Sequence, residues 1–141
     1  GNTIYSTSLV IKMDKNHSLQ AVFLIRSDVN CVRTNPSITI ANKTPQSNIS
    51  MIFLVNVTNR DYKCSLESFE FFTSCPSTFT CSINDKTVSI ESGNASSATD
   101  FSMSPKNITA LTSGNYTFQI TMKNRVDTRY TATNSSSYEI K

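Results

Sequence analysis

Runs of alternating apolar and polar residues, separated by turn residues about every ten positions, extend along the whole sequence. This period of two is typical of β-strands with one buried face, and β-branched and aromatic residues dominate the apolar set. No segment repeats apolar residues at helical spacing over three turns. We therefore expect an all-β fold, an antiparallel Ig-like β-sandwich preceded by a β-hairpin. The predicted strands are 4–13, 19–27, 36–42, 49–58, 66–73, 78–83, 86–91, 99–104, 115–124 and 129–140.

Two of these strands alternate regularly enough to predict which side chains face the core. Asn56 and Asn115 have the polar phase of their strands and are expected on the wet face. In the closing strand, Asn134 shares the phase of Tyr130 and Tyr138, which should face inward. In the strands 49–58 and 115–124, the side chains predicted to be buried are Met51, Phe53, Val55, Val57, Tyr116, Phe118, Ile120 and Met122.

Residues 1–29 contain no cysteine and are predicted to be a separate β-hairpin, either the end of a preceding domain or an assembly strand. The Asn35-Pro36 dipeptide restarts the chain, so we place a boundary near residue 29, with the sandwich at 30–141. A two-stranded hairpin is marginally stable alone. Its free edges are expected to pair with an upstream domain or a neighbouring copy. A start at Gly1 without a leader sequence favours a piece of a longer precursor.

The four cysteines, Cys31, Cys64, Cys75 and Cys81, fit two disulfides better than a zinc site. Zinc sites usually hold two cysteines two to four residues apart, whereas the closest pair here has five residues between. A continuous strand over 66–73 spans roughly 25 Å, and a disulfide needs Cα atoms within about 7 Å of each other. This excludes Cys64–Cys75 and disfavours Cys64–Cys81. The remaining pairing is Cys31–Cys64 with Cys75–Cys81.

Asn-x-Ser/Thr sequons and a neutral polar composition indicate a secreted glycoprotein. Ser, Thr and Asn make up 54 of 141 residues, and only 16% are charged. Chance gives about four sequons in such a composition, so eight are a twofold excess. We expect covalent N-glycans and an extracellular, oxidising location, either secreted or at the cell surface. The candidate glycosylation sites are Asn16, Asn42, Asn48, Asn56, Asn94, Asn107, Asn115 and Asn134.

From Cys31 onward, the order of motifs resembles the Ig-like module related to the alpha-galactosidase-associated domain. That module is appended to secreted microbial glycosidases and gametolysin-like metallopeptidases, so the resemblance implies an accessory module whose partner enzyme has its active site elsewhere. The segment Cys75–Cys81 departs from the family, which usually has an uncrosslinked turn there. The matching segments are Cys31-Val-Arg-Thr-Asn-Pro36, Phe53-Leu-Val-Asn-Val-Thr-Asn-Arg-Asp61, Cys64 with Phe69, Ser113-Gly-Asn-Tyr-Thr-Phe118 and Arg129-Tyr-Thr-Ala-Thr133.

Catalytic machinery is not expected, so we predict that the chain is not an enzyme and needs no cofactor. His17 is the only histidine, and it falls inside a predicted turn, so neither a Ser-His-Asp triad nor an H-E-x-x-H zinc motif can form. The acidic residues lie on different strands and turns, which is typical of solvated faces rather than of a glycosidase pair. The thirteen basic residues are scattered, which argues against nucleic acid, and no apolar run reaches membrane-spanning length.

Three functions remain open from the sequence. The first is a structural or assembly module of a glycoprotein, such as a filament subunit, that contacts protein partners or copies of itself through exposed strand edges. The second is an accessory module of a secreted hydrolase that binds protein or carbohydrate. For that second function Phe69 and Phe71 are assigned to the core, while Tyr62, Phe72 and Phe79 could form an exposed sugar-stacking patch. The third, a receptor-type Ig domain or viral ectodomain, is disfavoured because no Cys-Trp-Cys pattern is present.

Overall fold

The computed structural model describes residues 30–141 and places them in a two-sheet antiparallel sandwich. The predicted hairpin at 1–29, its boundary, and Asn16 with His17 lie outside the described residues. The strands are β1 Ser37–Asn42, β2 Met51–Asn59, β3 Glu67–Ser74, β4 Phe79–Ile83, β5 Thr87–Ile90, β6 Ala95–Pro105, β7 Gly114–Asn124 and β8 Thr131–Ile140. One sheet has the order β1-β2-β6-β4 and the other has the order β5-β3-β7-β8. The predicted all-β sandwich is confirmed.

Strand positions follow the alternation closely, with one exception. β6 begins at Ala95, four residues before the predicted start at Thr99. Its first residues are small and polar, so they show no apolar alternation, but they pair with β2 in register from Ala95↔Asn59 onward. Backbone hydrogen bonds to β2 therefore extend β6 past the segment in which its apolar and polar residues alternate.

The core forms between the inner faces of the two sheets, as the period of two predicts. The rings of Phe53, Phe101 and Phe118 meet at its centre, with centroids 4.6 Å apart for Phe53–Phe118 and for Phe101–Phe118. Seven of the eight side chains predicted to be buried in β2 and β7 are buried, while Tyr116 is half-buried at the start of β7. Aromatic pairs of this kind add to the burial of their apolar area.

The sandwich has two ends, which we name by the chain terminus that each carries. The N-terminal pole consists of residues 30–37, 59–67, 90–95 and 124–131, and the C-terminal pole of residues 42–51, 74–79, 105–114 and 140–141. Each pole holds one disulfide. Cys31–Cys64 lies at the N-terminal pole with its Cα atoms 4.4 Å apart, and Cys75–Cys81 joins the C-terminal pole to β4 with a separation of 6.6 Å. The distance reasoning from the sequence favours the same pairing.

Candidate functional site

A buried charge network lies beside the Cys31–Cys64 disulfide at the N-terminal pole. Glu67 is 2% exposed, and Arg33 donates to its Oε1 from Nε (3.0 Å) and from Nη2 (2.8 Å). Asn124 Nδ2 donates to Glu67 Oε2 at 3.0 Å. Both carboxylate oxygens are therefore occupied, as a buried charge requires. The expectation that the acidic residues are solvated is wrong for Glu67, because its phase in β3 is that of Phe69 and Phe71.

Asp61 is the second buried acid of this pole. Its Oδ1 accepts the backbone N–H of Thr34 at 2.8 Å, while its Oδ2 is buried without a hydrogen-bond partner. Burial raises the pKa of this carboxyl, and the charge of Glu67 raises it further, against the lowering effect of the Thr34 hydrogen bond. Asn59 Oδ1 accepts the Asp61 backbone N–H, and Asn59 Nδ2 donates to the Ile90 carbonyl. These bonds fix the turn that carries Asp61.

Cys31, Cys64 and Glu67 place their ligand atoms within 4.8 Å of one another, a grouping that could suggest a metal centre. The two sulfurs are joined as a disulfide, so neither is a thiolate ligand. The Glu67 oxygens are already used by Arg33 and Asn124. These three residues therefore stabilise the N-terminal pole through a disulfide and hydrogen bonds, and their donor atoms do not suit a metal ion.

Seven of the eight sequons fall within the described residues, and they divide into two groups. In the first group the asparagine is exposed on an outer face, a turn or a pole, where a glycan would stand in solvent. This group consists of Asn42, Asn56, Asn94, Asn107 and Asn115. In the second group, Asn48 and Asn134 are half-buried, and each amide makes hydrogen bonds that connect distant parts of the fold.

The β1–β8 side of the sandwich is closed by hydrogen bonds from side chains. Asn134 Nδ2, on β8, donates to the Ile38 carbonyl of β1 at 2.8 Å. At the two ends of β8, Asn35 Oδ1 accepts the Thr131 N–H at 3.3 Å, and Gln46 Nε2 donates to the Glu139 carbonyl. These three side chains bond at the middle and at both ends of the β1–β8 side, which hinders the pairing of another strand there.

Asn48 and Tyr138 extend this closure to the C-terminal pole. Asn48 bonds to both backbone groups of Lys141, with its Nδ2 donating to the carbonyl and its Oδ1 accepting the N–H, each at 3.2 Å. The hydroxyl of buried Tyr138 donates to the Ser47 carbonyl at 2.6 Å. The loop between β1 and β2 is thereby fixed against the end of β8.

The opposite side of the sandwich ends in short strands. β4 pairs with only the second half of β6, from Ile83↔Phe101 to Phe79↔Pro105, and β5 pairs with only the first half of β3. Between Ile83 and Thr87 the chain crosses from one sheet to the other. Edge strands of five and four residues offer little backbone for pairing with a strand from another chain. The edges on this side are therefore short, while the ten-residue edge strand β8 on the other side is bonded by side chains at its two ends.

The outer faces of the two sheets carry paired hydroxyl groups. Four cross-strand pairs lie at hydrogen-bond distance between their Oγ atoms. They are Thr58–Ser96, Ser82–Ser102 and Ser68–Ser89 at 2.8 Å, and Thr121–Thr133 at 2.9 Å. Hydroxyl groups that satisfy one another keep these faces wet without concentrating charge.

The aromatic residues that could form an exposed patch are separated in the structure. Phe79 is 3% exposed and packs on Tyr116 and Tyr138, so its assignment to a surface patch is wrong. Phe72 is exposed on the outer face of β3 with Lys123 Nζ 5.2 Å from its ring centroid, and Tyr62 is exposed at the N-terminal pole. The structure does not bring these three rings together. Among residues 30–141, no helix is long and apolar enough to cross a membrane.

No known protein family matches the sequence, and no curated protein matches it. Among solved structures, a FixG-related protein from Vibrio parahaemolyticus is similar with a TM-score of 0.59 and 12% identity, covering 75% of this chain and 96% of that one. The ASH/PapD-like domain of human CEP192 has a TM-score of 0.46 and 10% identity over 91% of this chain and 94% of its own. The first likeness shows the fold: residues 30–141 form an Ig-like β-sandwich module. The relation to the alpha-galactosidase-associated domain stays a prediction.

Proposed function

We propose that residues 30–141 are a non-catalytic structural module of an extracellular, heavily N-glycosylated surface or secreted glycoprotein. The observation that carries this proposal is the placement of Asn42, Asn56, Asn94, Asn107 and Asn115, all exposed, around a sandwich held by a disulfide at each end. Disulfides persist in oxidising compartments, where N-glycans are also added. Outer faces rich in paired hydroxyl groups support the same role, because such groups keep the surface between the glycans hydrated.

Secretion from a eukaryotic cell that adds N-glycans tests this proposal. We expect glycopeptide mass spectrometry to find glycans at the five exposed asparagines, and non-reducing peptide maps to find both disulfides. Single Asn→Gln variants at these five positions assign each glycan. An unglycosylated or reduced secreted protein would contradict the proposed location.

Assembly into a filament would then depend on residues 1–29. We infer this because side-chain hydrogen bonds hold the β1–β8 side at its middle and ends and because β4 and β5 are short, which favours the predicted hairpin edges as the pairing surface. The 1–141 chain is expected to form concentration-dependent oligomers in sedimentation, while the 30–141 fragment stays folded and monomeric. Equal assembly by both chains would contradict this assignment.

The alternative function is an accessory binding module of a secreted hydrolase, such as a metallopeptidase, whose active site lies outside this chain. Phe72 supports this alternative, since it is 47% exposed beside Lys123 and could stack on a sugar ring. Retention of the wild type, but not of Phe72→Ala, on insoluble polysaccharide would favour it. Tyr130→Ala is the control, because Tyr130 is also aromatic but is half-buried and lies at the N-terminal pole.

A further inference from the structure

The N-terminal pole carries a concentration of exposed apolar side chains around its disulfide. Val32 is 54% exposed, Tyr62 58% and Leu66 55%. Val126, 70% exposed, belongs to the same pole, two residues beyond Asn124. Of the other large exposed apolar residues within 30–141, Ile49 and Ile108 lie at the C-terminal pole and Phe72 lies on a sheet face. Exposed apolar residues that share one end of a fold are candidates for an interaction surface.

Arginine is concentrated at this pole. All four arginines of residues 30–141 lie here, and Arg60 and Arg125 are exposed on its surface beside the charged Lys63 and Glu91. Arginine and tyrosine are enriched where proteins contact each other. Only one sequon, at Asn94, lies at this pole. On the proposed function, glycans at the other exposed sequons cover the remaining faces and leave most of this pole uncovered.

The chain reaches this surface with almost no linker. Cys31 is bonded to Cys64, and the next residue, Val32, exchanges two backbone hydrogen bonds with Tyr62, each of 2.9 Å. Thr34 then bonds to Asp61 through its N–H. Residues 1–29 are therefore joined to the described chain at this pole, directly before Asn30 and the disulfide-bonded Cys31.

Residues 1–29 contain more apolar side chains than a two-stranded hairpin can bury by itself. Leu9, Ile11 and Met13 share one phase of a predicted strand, and Ala21–Ile25 is a continuous apolar run. A hairpin with such a face needs a second surface to bury it. We propose that the N-terminal pole is the docking surface for residues 1–29 of the same chain, through Val32, Tyr62 and Leu66. This proposal concerns the apolar face of the segment and does not depend on its edges or on assembly.

Hydrogen–deuterium exchange on the 141-residue chain tests the docking. In the wild type, amides of residues 19–29 are expected to exchange at least about tenfold more slowly than in an unfolded peptide. The Tyr62→Asp, Leu66→Asp double variant should abolish this protection, because the pole is no longer apolar. The matched control, Ile49→Asp with Ile108→Asp at the C-terminal pole, should retain it. Protection in β2 and β7 must be unchanged in both variants.

Three results would overturn the proposal. One is an unprotected segment 19–29 in the wild type, and another is a pole variant with undiminished protection. The third is protection that appears only when the protein is raised from about 1 µM to about 100 µM, which would assign the contact to a neighbouring copy. If the double variant loses protection in β2 and β7, Leu66→Ser alone replaces it as the milder change. Oligomer size in sedimentation is measured on the same samples and tests filament assembly separately.

Discussion

Asn134 on β8 donates its Nδ2 hydrogen to the carbonyl oxygen of Ile38 on β1, and this 2.8 Å bond connects the two sheets. The same nitrogen is the atom to which an N-glycan would be attached. Asn134 lies in the middle of an unbroken strand, half-buried between the sheets. An N-glycan would replace one hydrogen of this nitrogen and would need room beside β1, so a glycan at this half-buried position would open the β1–β8 side.

We accordingly predict that Asn134 carries no glycan in the folded, secreted protein, whereas Asn56 and Asn115 do. Asn56 and Asn115 are exposed on the outer faces of β2 and β7, so a glycan at either leaves the hydrogen bonds of the sandwich intact. Site-resolved glycopeptide mass spectrometry measures the occupancy of each position. High occupancy of Asn134 in protein that retains a native circular dichroism spectrum would contradict this prediction.

Loss of the same amide is predicted to destabilise the fold. Asn134→Ala leaves the Ile38 carbonyl without its partner, so the free energy of unfolding should fall by about 1–3 kcal/mol. Asn115→Ala removes an exposed amide with no such bond and should change stability by less than about 0.5 kcal/mol. Urea denaturation followed by circular dichroism compares the two variants. Equal stabilities would show that the β1–β8 bond contributes little.

The two disulfides are predicted to contribute unequally. Cys31–Cys64 closes a separation of 33 residues and Cys75–Cys81 a separation of 6. On the chain-entropy relation, the first stabilises the fold by about 3.7 kcal/mol and the second by about 2.2 kcal/mol. Urea denaturation of the paired Cys→Ala variants should show the larger loss for Cys31 with Cys64. The reverse order would indicate that native contacts, rather than unfolded-state entropy, dominate.

The aromatic centre of the core is predicted to dominate mutational sensitivity. Phe118→Ala removes a ring that stacks on Phe101 and contacts Phe53, so it should cost about 3–5 kcal/mol. Phe72→Ala removes an exposed ring of the same size and should cost less than about 1 kcal/mol. Thermal and urea unfolding measure both variants. Similar losses for the two would contradict the assignment of the core.

Two carboxyl groups are predicted to give opposite pH dependences of stability. Burial raises the pKa of Asp61 from 3.8, so its contribution is fully present below 3.8 and is lost as pH rises through the raised pKa. The Arg129 side chain lowers the pKa of Asp127 from 3.8 to about 2, so that contribution is present above 3.8 and is lost as pH falls toward 2. The test is the urea midpoint of unfolding as a function of pH. Compared with the wild type, Asp61→Asn should lack the fall in midpoint that this carboxyl causes as pH rises above 3.8. Asp127→Asn should lack the fall that its carboxyl causes as pH drops below 3.8. Unchanged slopes in both variants would contradict these pKa directions.

Alternation along the strands was enough to predict the two-sheet fold, because one buried face forces a period of two. The same alternation also carries polar residues at inward positions. Asn59, Glu67 and Asn124 have the phase of the apolar residues in β2, β3 and β7, and all three are buried at the N-terminal pole. A polar residue that occupies an inward position at the end of a strand therefore indicates a buried polar network. The sequence could not say that Arg33 would supply the countercharge to Glu67, 34 residues away.

What the sequence determined by itself was local: the strands, their inward faces and, through the length of one strand, which cysteines can meet. The alternation already placed Asn115 on the wet face and Asn134 in the inward phase, but only the tertiary structure showed that Asn48 is half-buried and that the Asn134 amide bonds to Ile38. It also decided that Phe79 is buried while Phe72 is exposed. The physical reason is that these properties depend on packing between sheets and on hydrogen bonds between residues nearly a hundred positions apart. No periodicity within a strand contains that information.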